Sequence, residues 1–250
     1  MNNCLVVLKS DYADRYDNTL NSHCHFRLPI IELDSNFQIL ISISNASIPY
    51  SWYNVNTYNN VLRVDFSNDT NISYTFSTGN YNTRTLVSYL STLMTDFTIT
   101  YNKLTNKMLF THSSLNFTFN NTYSTCFELL GFKRTFSPTS NTLALTSNIC
   151  CNLNGTRNVN IYCNYQSDNI LHADKLDRTF LGSILVNTTP TGVITYENPN
   201  NLNKINTLIN NLNKINLELC DDKGRPLDLN GVDWSLGLLL EYYDFVDNTD

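Results

Sequence analysis

The chain has 250 residues, enough for one large domain or two small ones, and it is rich in Tyr, Phe, Asn, Thr and Ser with only 15% charged residues, a composition of strands and loops that excludes a helical bundle. Its formal net charge is −6, and its sixteen Lys and Arg are scattered singly apart from Lys133-Arg134, so no basic footprint for nucleic acid is present and protein partners are expected. Seven cysteines, an odd number without a C-x-x-C pair, argue against a secreted disulfide framework.

The opening MNNCLVVLKSDY holds a first strand at Leu5 to Leu8. That apolar run is far shorter than a signal-peptide core, and no later segment approaches membrane-spanning length. The protein is therefore expected to be made inside a cell, not secreted, with no membrane contact. In that setting the sequons Asn45-Ala46-Ser47 and Asn71-Ile72-Ser73 read as chance in an Asn-rich chain.

Asp11 to Asn21 is a polar loop, and Phe26, Leu28 and Pro29-Ile30-Ile31 form a second strand or strand pair ended by Asp34-Ser35-Asn36. Phe37 to Ile48 alternates with period two, placing Ile39, Ile41, Ile43 and Asn45 on one face and Leu40, Ser42 and Ser44 on the other. Pro49 ends it. Tyr50, Trp52 and Tyr53 then make an aromatic corner, readable as a lid on the end of a β-sandwich or as an anchor for a neighbouring subunit. These three residues are the candidate subunit interface.

Val61 to Phe66 and Ile72 to Phe76 read as a hairpin. The period then changes: Thr83 can cap a helix with Leu86, Leu90 and Leu93 in a stripe that Val87 and Met94 widen. Phe97 to Tyr101 and Met108 to Thr111 form a second hairpin, which that stripe should cover, and Phe117 to Phe119 a short strand. Thr125-x-x-Glu128 is a capping-box pattern for a short helix that Gly131 can terminate. Residues 78–135 thus read as an α+β insertion within one otherwise all-β domain covering 1–250.

Leu143 to Leu145, Val159 to Tyr165, Ser183 to Val186 and Val193 to Tyr196 are further strands, and Gln166 to Arg178 is a polar loop. The Asn-Leu-Asn-Lys-Ile-Asn of 201–206 recurs at 211–216, too briefly for a repeat architecture. In Lys214 to Leu240, Ile215, Leu217 and Leu219 face one side of a strand, Asp221 to Asn230 form an exposed loop, and Val232, Trp234 and Leu236 share the buried face of a closing strand. The total is at least the eight strands of a jelly roll, so the expected fold is an all-β, single jelly-roll sandwich with a small insertion.

Chemical motifs are scarce. His23-Cys24-His25 could offer two metal ligands from one strand face, but nothing marks a third or fourth, and Cys150-Cys151 cannot both face one ion. Asp221, Asp222, Asp228 and Asp233 lack the alternating spacing of a calcium loop. No G-x-S-x-G, P-loop, G-x-G-x-x-G or H-E-x-x-H occurs. Hence no catalytic residue, metal or cofactor is assigned, and the protein is not expected to be an enzyme.

Three stretches carry a resemblance. The Pro49-Tyr-Ser-Trp-Tyr-Asn-Val55 corner after its strand, Gly79-Asn80-Tyr81 leading through a helix to Glu128-Leu-Leu-Gly-Phe132, and Gly224-Arg-Pro-Leu-Asp-Leu-Asn-Gly231 with Trp234-Ser235 between apolar strands are similar, in this order along the chain, to capsid proteins of polintons, virophages and related eukaryotic DNA viruses. The resemblance implies a structural role in an icosahedral virion. Major capsid proteins of that family carry two jelly rolls, and this chain has room for one, since a jelly roll takes roughly 100–200 residues. That leaves the penton, the minor capsid protein forming homopentamers at five-fold vertices beside a double jelly-roll major capsid protein. The alternative is a sugar- or receptor-binding β-sandwich module such as a viral attachment protein, for which exposed Tyr and Trp would also serve.

Overall fold

The computed structural model describes residues 2–15, 20–32, 37–135, 142–165, 178–200, 203–207 and 211–244. The chain first lays down β1 (Asn2–Lys9), the two-residue β2 (Asp14–Arg15), β3 (His23–Glu32) and β4 (Phe37–Pro49). It then forms β5 (Val61–Phe66), β6 (Asn71–Thr75), α1 (Thr83–Leu93), β7 (Phe97–Asn102), β8 (Lys107–His112), β9 (Phe117–Phe119), α2 (Phe127–Leu130) and β10 (Ala144–Thr146). Last come β11 (Asn158–Cys163), β12 (Thr179–Leu185), β13 (Val193–Glu197), β14 (Ile205–Thr207), β15 (Asn211–Cys220) and β16 (Ser235–Asp244). Two compact units result: residues 1–52 with 156–250, and residues 53–155 between them in sequence.

In the first unit one sheet runs β1-β16-β4-β13, with β14 also beside β4, and the other runs β12-β11-β15-β3-β2. Leaving out β2 and β14, the pairs are nested: first strand with last (β1–β16), second with seventh (β3–β15), third with sixth (β4–β13) and fourth with fifth (β11–β12), all antiparallel. This is the wrapping of a jelly roll, and the expected all-β sandwich is the fold observed. Its core lies between the sheets, where Ile39, Ile41, Ile43 and Ile48 of β4 meet Val159 and Ile161 of β11, Ile215, Leu217 and Leu219 of β15, and Leu236, Leu238 and Leu240 of β16. The strands β15 and β16, expected to be either neighbouring or facing, contribute to one core from different sheets.

One face assignment changes within β4. Asn45 does not share the isoleucine face: it is exposed, while Ala46 and Ile48 are buried. Gly237 pairs with Asn45 and Leu238 with Ile43, so Ser44 is an extra residue, a β-bulge that flips the alternation. Gly237 accommodates it, because a Cβ there would stand 2.5 Å from the Asn45 amide.

The second unit has its own core. Sheets β6-β5-β9 and β10-β8-β7 contribute Leu62, Val64, Phe110, Phe117 and Phe119, and the helices add Leu86, Leu90, Phe127 and Leu130. Leu86 and Leu90 are fully buried there, beside Met94 and with Leu93 partly buried. The unit spans Tyr53 to Gly155, wider than the 78–135 read from the sequence, because the β5–β6 hairpin gives its apolar face to this core. Two caps differ from expectation. Asn82 rather than Thr83 caps α1, in a reciprocal box with Thr85. Thr125 does not cap α2; its hydroxyl accepts the Val61 N–H instead, while Gly131 ends the helix at φ 86° as expected.

Candidate assembly surface

Of the aromatic corner, Tyr50 and Trp52 lie in the sandwich core, only 5% and 3% exposed, with ring centroids 4.6 Å apart. Their surface is spent inside the sandwich, and burial raises the Tyr50 phenol above its ordinary pKa. Tyr53, the first residue of the second unit, is 36% exposed. Of the three residues expected at a subunit interface, Tyr50 and Trp52 are therefore buried within the single chain and Tyr53 is exposed. Of the polar loops Asp11 to Asn21 and Gln166 to Arg178, residues 16–19 and 166–177 lie outside the described residues.

The turn between β15 and β16 is not the open loop expected from its charges. Asp221 is 5% exposed, and its carboxylate accepts the backbone N–H groups of Lys223 and Arg225 as well as the Arg225 guanidinium. Beyond it the Leu227 N–H donates to the Leu219 carbonyl, so the chain returns along β15 and buries Leu227 and Leu229 while Asp228 stays out. The alternation Leu227-Asp228-Leu229 was the signal for this, masked by the Gly, Pro and Asn around it. Asn230 and Gly231 take positive φ of 49° and 75°, and the Val232 N–H closes on the Leu229 carbonyl. That turn ends the alternation, which leaves Val232 exposed instead of on the buried face.

Trp234 is buried as expected, 3% exposed, with its indole N–H donating to the Asn21 carbonyl at 2.9 Å and its ring edge-on to Phe26. Ser10 ties the same corner: its hydroxyl accepts the Trp234 N–H and donates to Asp233.

Several other polar groups are engaged structurally. Asp222 accepts the Arg157 and Asn158 N–H groups. Arg178 pairs with Glu218, donates to the Gly224 carbonyl and lies 4.2 Å from the Tyr162 ring centroid. His23 and His25 are half-buried on one face of β3, with Cys24 buried on the other. Among the described residues no three His, Cys, Asp or Glu side chains are arranged to hold a metal ion. Burial pushes the Cys163 thiol up to about 11, and burial with the nearby Glu218 charge pushes Cys220 up to about 12. Such thiols stay protonated at neutral pH, which disfavours nucleophilic chemistry.

Exposed apolar side chains of the sandwich concentrate on strands that border a sheet. Leu5 and Val7 of β1 are 53% and 58% exposed, Val193 of β13 is 53% exposed, and Leu185 at the end of β12, a border of the second sheet, is 64% exposed. β1 and β13 are opposite borders of one sheet. Neither was marked as an interface from sequence, because an apolar strand residue reads as core until its pairing is known. Among the described residues no helix is long and apolar enough to cross a membrane.

The chain is an all-β protein, a jelly-roll sandwich with a second unit inserted in sequence between its third and fourth strands, an architecture that hosts many unrelated functions. No protein-family model matches the chain, and no curated protein matches it. Among solved structures, it has the fold of the mavirus penton protein: the crystal structure superposes with a TM-score of 0.51 at 14% identity, covering 97% of this chain and 100% of that one. A chain in the cryo-EM structure of the Sputnik virophage aligns at a TM-score of 0.40 and 9% identity, covering 94% of this chain and 97% of that one.

Proposed function

We propose that the protein is a structural capsid subunit of a virophage-like or polinton-like virus, and specifically its penton. The observation that carries this reading is the fold shared with a penton protein over nearly the whole of both chains. The whole chain then acts as one capsid subunit, a single jelly roll with an α+β insertion, and its role is geometrical rather than catalytic. Particular side chains support this: Asp221 and Asp222 brace turns, and Cys24, Cys126, Cys163 and Cys220 are buried. A net charge of −6 favours protein partners over the genome, so the expected partners are further copies of the chain and a double jelly-roll major capsid protein, within the virion.

A ring subunit needs two different complementary faces so that head-to-tail contacts close. Five copies of the 28.6 kDa chain weigh about 143 kDa. Light scattering on the purified protein should detect that species, or a monomer that converts to it when major capsid protein is added. A stable dimer or trimer under both conditions would refute the penton assignment, and a trimer would point to a major-capsid or attachment role.

A further inference from the structure

Natural proteins protect the edges of their sheets, because a row of unpaired N–H and C=O groups invites another chain. The two sheets of the sandwich differ in this respect. In the second, the β2 border is two residues long and carries Asp14 beside Arg27 of β3, 3.5 Å apart. Its other border, β12, has a register shift opposite Ile161 and Tyr162 and a glycine, Gly182, at its middle. Short length, charge and bulges are the usual guards. In the first sheet β1 has none of them along its middle, and the opposite border is formed by the five-residue β13 and, further along β4, the three-residue β14. β1 is eight residues long, pairs with β16 without a register shift, and carries no charge between Asn2 and Leu8. β13 pairs with β4 without a shift and carries no charge before Glu197. Among the described residues, neither strand has a partner on its outer side.

The two bare borders also match each other. β1 is antiparallel to β16, β16 to β4 and β4 to β13, so β1 and β13 run in opposite directions. A second copy placed alongside in the same orientation therefore brings its β1 antiparallel to the first copy's β13, continuing one sheet. The faces agree as well. Leu8 and Ile194 point into the core, so Leu5 and Val7 on β1 and Val193 and Thr195 on β13 lie on the same outer face of that sheet. Joining the copies would bring Leu5 and Val7 against Val193, covering apolar side chains that are each more than half exposed in the single chain.

We infer that copies of this chain join head to tail by pairing β1 of one with β13 of the next. A two-fold β1–β1 pairing would leave β13 bare, whereas the head-to-tail junction fills both borders and uses two different surfaces, as a closed ring requires. The inference rests on the capsid-subunit reading for its partner, a second copy, and names the surface that reading leaves open.

The test uses the full chain with the exposed Cys4 and Cys150 replaced by Ser. Val7→Cys is made in one preparation and Val193→Cys in another, both at exposed positions that a small side chain suits. A short bismaleimide tolerates either register of the junction. Mixing the two variants should give a covalent dimer on a denaturing gel that neither gives alone, and Val7→Lys should abolish the assembly seen by light scattering while leaving the melting temperature unchanged. Cross-linking of Val7→Cys with itself would overturn the head-to-tail junction in favour of a two-fold one. A five-copy species that forms without the mixed cross-link and survives Val7→Lys would overturn this inference while leaving the capsid reading standing. A monomer at every concentration, with or without major capsid protein, would overturn both.

Discussion

Replacing Trp234 by Ala tests how the closing strand is held. The side chain is 3% exposed and packs edge-on to Phe26 with ring centroids 5.9 Å apart. Large aromatic-to-Ala changes in cores cost about 3–5 kcal/mol. Here the Asn21 carbonyl, which accepts the indole N–H in a fully buried residue, also loses its donor. A buried acceptor left unsatisfied adds to the cost, which puts the expected loss at about 4–5 kcal/mol. For a unit of this size that corresponds to a fall in Tm of roughly 10–15 °C. Both tryptophans, Trp52 and Trp234, belong to the first unit, so in Trp234→Ala the fluorescence of Trp52 alone follows unfolding of the sandwich. Trp234→Phe, which keeps most of the apolar volume but not the N–H, should lose only about 1–2 kcal/mol. A soluble Trp234→Ala protein with an unchanged melting temperature would show that the indole neither fills the core nor holds the Asn21 carbonyl.

Three further outcomes follow from the same geometry. Leu90→Ala, at a fully buried position of α1, should cost about 2–5 kcal/mol in urea unfolding followed by circular dichroism, and a loss below about 0.5 kcal/mol would mean the helix stripe does not pack. Gly131→Ala should lower stability by about 1–3 kcal/mol in the same assay, since φ is 86° and a Cβ would stand 2.6 Å from the Ile149 carbonyl oxygen; a neutral substitution would contradict that conformation. Because burial raises the thiols of Cys163 and Cys220 to about 11 and about 12, the folded state holds their protons more tightly than the unfolded chain, whose thiols keep their ordinary value of 9.0. Stability should therefore be insensitive to these groups below pH 9 and fall as pH rises from 9 toward 12. Thermal melts of the Cys163→Ala and Cys220→Ala variants should show a shallower alkaline fall than the parent, and an identical slope would mean that these thiols are not buried in the folded state.

Periodicity alone carried much of the secondary structure. The isoleucines of β4, the apolar faces of β15 and β16, the hairpins β5–β6 and β7–β8 and the stripe of α1 were all legible, because burying one face of a strand or helix imposes a period of two or 3.6 on the residues themselves. The expected burial of Trp234 followed from the same rule. What the sequence left open was everything that depends on a distant partner. Whether Tyr50 and Trp52 face a core or a neighbour is decided by strands far along the chain. The flip at Ser44 depends on the residue count of β16, and the burial of Leu227 and Leu229 depends on the turn that Asp221 folds back along β15. The short β14 and the start of β15 were hidden because Asn-rich strands lack a clear apolar alternation. The nested pairing that makes the sandwich a jelly roll joins residues at opposite ends of the chain, such as Leu5 and Leu239, and leaves β1 and β13 as its borders. An apolar strand reads the same in sequence whether it is central or at an edge; only the tertiary pairing determines which backbone groups remain for another chain.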